Sequence, residues 1–248
     1  MDDPVERPLE RAAEKAVEEG VKAARDFLAT IGGPAATEFG GALGDWVKYW
    51  RFKNMVKITL KTKEFLERQG IEARKVLPAT MVPLLEAASL TEDDMLQEKW
   101  AALLASAANP AVSEVSPAYV AILRDLSPVE VLVLDRGFER ASRRKTVAGD
   151  KAIEYGVLEN EIVHWYGLGR EDISIMATNL ARLGLWEKGH VRILAKDDPL
   201  ASEDELRHDE TIEEWDGYEK TAGVQRRVYR LTPLAADLIR RCKPPSER

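Results

Sequence analysis

Cysteine is almost absent from this 248-residue chain, where Cys242 stands alone. A disulfide within the chain and a cysteine-based metal knuckle are both excluded, and a reducing, cytoplasmic setting is the expectation. Histidine is scarce too: His164, His190 and His208 are scattered and form neither an HExxH nor an HxH pair. No run reaches the roughly 18 uninterrupted apolar residues of a spanning helix. The opening Met-Asp-Asp-Pro and the charges after it do not have the form of a secretory signal. Gly-Leu-Gly-Arg at 167–170 lacks the preceding strand and further glycines of a dinucleotide or phosphate loop. Ser106 lies in Leu-Ala-Ser-Ala-Ala, not in a nucleophile elbow. Asp93-Asp94 and Asp197-Asp198 lack calcium-loop spacing. These absences lead to the expectation of a protein that is not an enzyme, with no catalytic residues, no cofactor and no bound metal.

Apolar side chains make up 45% of the sequence, enough to bury a core in one large domain or two modest ones. The net charge of -7 hides a split. Residues 196–220 carry eleven acids against three bases, so the rest of the chain sums to +1. So dense an acidic block reads as a solvated loop, or as an arm that competes with nucleic acid or docks a basic partner. Residues 46–75 tilt the other way, with aromatics Trp46, Tyr49, Trp50 and Phe52 among lysines and arginines. Lys53, Lys57 and Lys61 recur every four residues and form one helical stripe, while Val47, Trp50, Ile58 and Phe65 fall near another face. Trp46, Trp50, Lys53, Lys57 and Lys61 are thus candidate contacts to a membrane surface or a partner.

Residues 5–30 are rich in good helix formers but carry only a thin apolar strip, so that helix requires a partner. The glycine-rich segment 31–44 follows, read as a turn and a closely packed helix start or as a membrane-inserting piece; Glu38 and Asp45 make insertion costly. A long helix is predicted over 42–69 and a short one from Pro78 to Leu90. Thr91 with Asp94 reads as a capping box opening an alanine-rich helix that ends at Asn109-Pro110. Ser116-Pro117 and Ser127-Pro128 predict helices over 117–126 and 128–144. Helices over 157–166 and 171–183 come next, then strands over 190–195 and 224–231, and a last helix after Thr232-Pro233. The tail KPPSER is expected to lack order.

The fold class expected is mainly α: an irregular helical domain over 1–115, then a winged helix-turn-helix over 116–243 with a small β-hairpin containing the acidic stretch 196–220. Helix 171–183 would be its reading helix, yet Arg182 is its one base and Glu171 and Asp172 stand at its start. Affinity for duplex DNA comes largely from phosphate contacts. Candidate nucleic-acid contacts are Arg143, Arg144, Lys145, Asn179, Arg182, Arg226 and Arg227, with Arg192 nearby in sequence on the hairpin. The acids weigh the module toward protein contacts and against nucleic acid.

Residues 76–110, VLPATMVPLLEAASLTEDDMLQEKWAALLASAANP, and 118–135, AYVAILRDLSPVEVLVLD, resemble the bacterial abortive infection alpha family. The most specific part is Leu-Leu-Glu-Ala-Ala-Ser-Leu, an acidic link, then Gln-Glu-Lys-Trp-Ala-Ala-Leu-Leu-Ala. The likeness extends over most of 30–240. It implies a helical protein of phage defence, in which infected cells stop growing or die, and it carries over no catalytic residue. Three functions follow as expectations. The first is a non-enzymatic defence component that contacts a bacterial or phage protein and self-associates as a homo-oligomer. The second is a winged-helix DNA-binding regulator. The third is a membrane-acting effector working through residues 31–61.

Overall fold

The computed structural model of the chain describes residues 6–32, 45–148, 156–193 and 224–245. Among these the fold is mainly helical, with a small three-stranded antiparallel sheet. The helices are α1 (Glu6–Gly32), α2 (Asp45–Glu67), α3 (Pro78–Ser89), α4 (Asp94–Ala108), α5 (Pro117–Arg124), α6 (Pro128–Ala148), α7 (Glu159–Tyr166), α8 (Arg170–Arg182) and α9 (Pro233–Arg241). The strands are β1 (Val157–Leu158), β2 (Trp186–Ile193) and β3 (Val224–Leu231). Most of the glycine-rich segment and all of 196–220 lie outside the described residues. The chain forms two compact units, one of residues 1–128 with 240–248 and one of 129–239.

The first unit is organised around α4. Its alanines Ala101, Ala102, Ala105, Ala107 and Ala108 are buried, as are Leu103, Leu104 and Trp100. A helix apolar on all sides belongs in an interior, and small side chains let neighbouring backbones come close. The sequence predicts one apolar face; the structure surrounds the helix. Helix α2 is its main neighbour and presents a partly polar inner face of Asn54, Thr59 and Thr62 beside Ile58, Phe65 and Leu66. The Thr62 hydroxyl donates to the carbonyls of Ile58 and Ala101, at 2.8 and 3.2 Å. Among the described side chains of α1, Ala24, Leu28 and Ile31 are buried, whereas Val17 is 66% exposed. Helix α5, which the sequence groups with the C-terminal half, packs on α3 in this unit.

Two local expectations are corrected here. The cap of α4 is Asp93, whose carboxylate accepts the Leu96 N–H at 2.8 Å, and not Thr91. The Thr91 hydroxyl instead accepts the Trp100 indole N–H at 3.0 Å, and the Thr91 carbonyl accepts from Gln97 at 2.7 Å. An internal indole competes successfully for the hydroxyl, and the next acid takes over the cap. The tail also departs from expectation as far as residue 245. Pro244 is buried, Lys243 N–H donates to the Arg240 carbonyl, and Ser106 donates to the Arg241 carbonyl at 2.6 Å.

In the second unit β3 is the central strand, paired antiparallel with β1 and β2. Residues 157–158, expected to begin a helix, pair with β3 instead, Val157 opposite Tyr229. Gly156 permits this: a Cβ there would lie 2.1 Å from the Tyr229 carbonyl oxygen. Gly184, at φ +70°, turns the chain out of α8 into β2. That strand begins at Trp186, earlier than predicted, and Trp186 stacks on Tyr229 with ring centroids 4.7 Å apart. Ile173, Met176 and Leu180 form the buried face of α8. Ile175, apolar like these three, is 70% exposed. Two residues along a helix turn a side chain to the opposite side.

Because the two hydroxyl and carboxylate roles are exchanged, the expected losses differ. Asp93→Ala costs about 1 kcal/mol as a lost cap. Thr91→Val leaves the Trp100 N–H without its acceptor and costs about 2 kcal/mol. Urea unfolding of both variants checks the order; equal or reversed losses would restore Thr91 as the cap.

Candidate contact surfaces

The lysine stripe of α2 faces acids. Lys57 pairs with Asp94, and Lys61 pairs with Glu98 at 3.2 Å, so two of its three charges meet carboxylates of α4. The Lys57 hydrogen bond holds the Asp94 carboxyl below its ordinary range, with the charge of the same lysine adding to the effect. Lys53 is exposed and Trp50 half-buried. Trp46 lies in the first turn of α2, and its side chain falls outside the described residues. The stripe and the tryptophans thus share one helix, with its lysines engaged along α4 rather than gathered on an open basic face.

In the second unit, carboxylates draw the polar groups inward. Buried Glu130 of α6 accepts from Asn179 Nδ2 at 2.8 Å. Asn179 Oδ1 in turn accepts from Arg182 Nε and Nη2, at 3.2 and 2.9 Å. The structure therefore joins two predicted nucleic-acid contacts, Asn179 and Arg182, in one chain of bonds that ends in a buried acid. Arg227 Nη1 lies 3.4 Å from Glu159 Oε2. Glu161, with a side chain 3% exposed, pairs with Arg140 and accepts the Leu158 N–H at 3.0 Å. Arg136 and Arg140 both lie over the Trp165 ring, at 4.7 and 5.8 Å from its centroid. Arg143, Arg144 and Lys145 are in the last turns of α6 and Arg226 is in β3 opposite Val191; Arg192 is in β2 opposite Gln225. The side chains of all five are outside the described residues.

What remains on the outer side of α8 is Arg170, Glu171, Asp172, Ser174, Ile175, Thr178 and Arg182, all exposed. Its charges cancel, and both acids occupy the helix start, where the backbone dipole otherwise favours an anion. Thr178 accepts from Lys188 of β2 at 3.0 Å, which ties the strand to this side of the helix. His190 pairs in register with Arg227 on the ribbon. Burial pushes the Tyr229 hydroxyl up from its ordinary range, and Glu159 adds to the shift. Among the described residues no group of His, Cys, Asp and Glu is arranged to hold a metal ion, and no helix is long and apolar enough to cross a membrane. His164 and His190 are exposed and separate; His208 and Asp197-Asp198 are outside the described residues. Asp93 and Asp94 serve as helix cap and ion-pair partner.

The residues that sequence reasoning missed are the acids. Ser127-x-x-Glu130 has capping-box spacing, which flags Glu130 as a helix-start residue but not as the partner of Asn179. Nothing local in the sequence distinguishes Glu159 or Glu161 from solvent-facing acids.

Two measurements follow. Glu161→Gln removes the charge that pairs with Arg140 in a buried setting and is expected to cost roughly 3 kcal/mol in urea unfolding. For Asp94, the depressed folded pKa contributes stability that is present above the unfolded value and lost as pH falls through the lower, folded one. In Lys57→Gln the Asp94 carboxyl is expected to titrate back toward 3.8, as read by NMR, with that acid-side contribution gone.

The sequence pattern of the abortive infection alpha family matches residues 53–242, from within α2 through α9. No curated protein matches the chain, and no solved structure does. The family match takes in α4 with its surrounding helices, the sheet and α8, and by it this chain belongs to the abortive infection alpha family.

Proposed function

We propose that this protein acts in defence against phage without catalysing a reaction, through protein–protein contacts made by the outer side of α8. Family membership suggests the defence role. The order α6, β1, α7, α8, β2, β3, α9 supports reading the second unit as a winged helix in which α8 holds the reading position. The observation that carries the choice of a protein partner is the engagement of Asn179 by buried Glu130. An asparagine amide is the group suited to reading adenine, and here it points to an internal carboxylate. The outer side left behind has cancelling charges around the exposed Ile175. Phosphate contacts supply most duplex affinity, and this side offers few. The partner is a second copy of the chain or a bacterial or phage protein.

A DNA-binding regulator is the second reading. It is favoured by Lys188 beside Thr178 and by His190 paired with Arg227 on the ribbon. The two readings separate in one set of variants. Ile175→Asp is expected to abolish protection in a plaque assay with an unchanged unfolding midpoint, because the side chain is already in water. Light scattering of the same variant reports whether self-association is lost. Retardation of duplex DNA at low salt, abolished by Arg182→Ala, with Ile175→Asp still protective, would establish the regulator instead.

A further inference from the structure

Helices α2, α3 and α5 enclose a groove of about 360 Å³ in the first unit. Pro83, Leu90, Pro117 and Val120 supply its apolar lining, and Arg51, Arg124 and Glu86 its charges. Leu90, the C-terminal cap of α3, is 55% exposed.

Each arginine is held by its Nε. Arg51 Nε donates to Ser89 Oγ at 2.9 Å. That serine is fixed in turn: its hydroxyl donates to the Glu86 carbonyl at 2.8 Å, and its carbonyl accepts from Asn54 at 3.1 Å. Arg124 Nε donates to Asp125 Oδ1 at 3.3 Å. Among the described residues the terminal nitrogens of both guanidinium groups have no acceptor, and a carboxylate suits such a fork. Asp125 occupies the Nε side of Arg124 and offsets part of its charge. Glu86 is one acid against two bases at the groove.

We infer that this groove receives a short segment of a partner protein, with a leucine- or phenylalanine-sized side chain on the apolar lining and a neighbouring carboxylate at Arg124, with Arg51 adding to the positive charge. The charge of the two arginines selects the acid. The groove is only partly enclosed, which suits a length of chain better than a small molecule, since small ligands are mostly enclosed. A helix carrying one apolar anchor and flanking acids fits this form of recognition. The surface lies in a different unit from Ile175 and does not depend on the reading of α8.

The test is selection from a random peptide library against the full chain, followed by affinity measurement on the enriched peptide. Enrichment of sequences that join an acid to a large apolar residue is expected. Arg124→Glu and Leu90→Ser are both at exposed positions, and each is expected to weaken that peptide about tenfold, the effect of losing one good interfacial contact. Replacing the peptide's acid by lysine is expected to restore binding to Arg124→Glu. Ile175→Asp is expected to bind the peptide as the parent does. No enrichment, enrichment without acids, or affinity unaffected by Arg124→Glu would overturn the inference. So would sedimentation showing that Leu90→Ser and Arg124→Glu dissolve an oligomer, since the occupant would then be a second copy of this chain.

Discussion

Helix α4 has almost no solvent side, and the first unit depends on how that is achieved. Five buried alanines leave room for other helices to approach, while Trp100, Leu103 and Leu104 fill the wider gaps. In such a helix each buried polar group is costly unless it finds a partner, and Gln97 Oε1 is left without one among the described residues. The Thr91 acceptor for Trp100, the Gln97 bonds to Thr91 and Asn54, and the Thr62 bond to Ala101 are the corresponding polar answers. Asn54 then reaches the Ser89 carbonyl, so the fixed position of Arg51 at the groove descends from the packing of α4.

The second unit solves a different problem. Acids in the first turns of two helices, Glu130 in α6 and Glu159 and Glu161 in α7, turn out to hold Asn179, Arg227 and Arg140. A basic residue counted in sequence as a free surface charge is thereby drawn into the protein's own electrostatics. The same holds for Lys57 and Lys61 of α2, which lean on α4. The positive charge suited to a phosphate polymer or an anionic surface is reduced by internal partners in both units.

Helices α3, α5, α6 and α8 were legible because prolines, capping serines and glycines mark local backbone geometry, and local geometry is what a sequence window contains. The α4 cap was misplaced because its decision rests on Trp100, a full two turns away. The exposure of Ile175 follows from helical period, which turns it away from Ile173 and Met176, and not from its apolar character. The partners of Asn179 and Arg140 could not be read at all: Glu130 and Glu161 are distant in sequence, and only the tertiary arrangement brings them near.

The return of residues 240–245 to the first unit makes residues 129–239 an insertion anchored at both of its ends. Ser106 and Ser113, early in the chain, wait for Arg241 to complete their surroundings. On the ribosome, where segments emerge in order, the inserted unit is fully synthesised before its host can close. The contacts of Ser106 and Ser113 with Arg241 are thus the last part of the host to form, although most of it is made first.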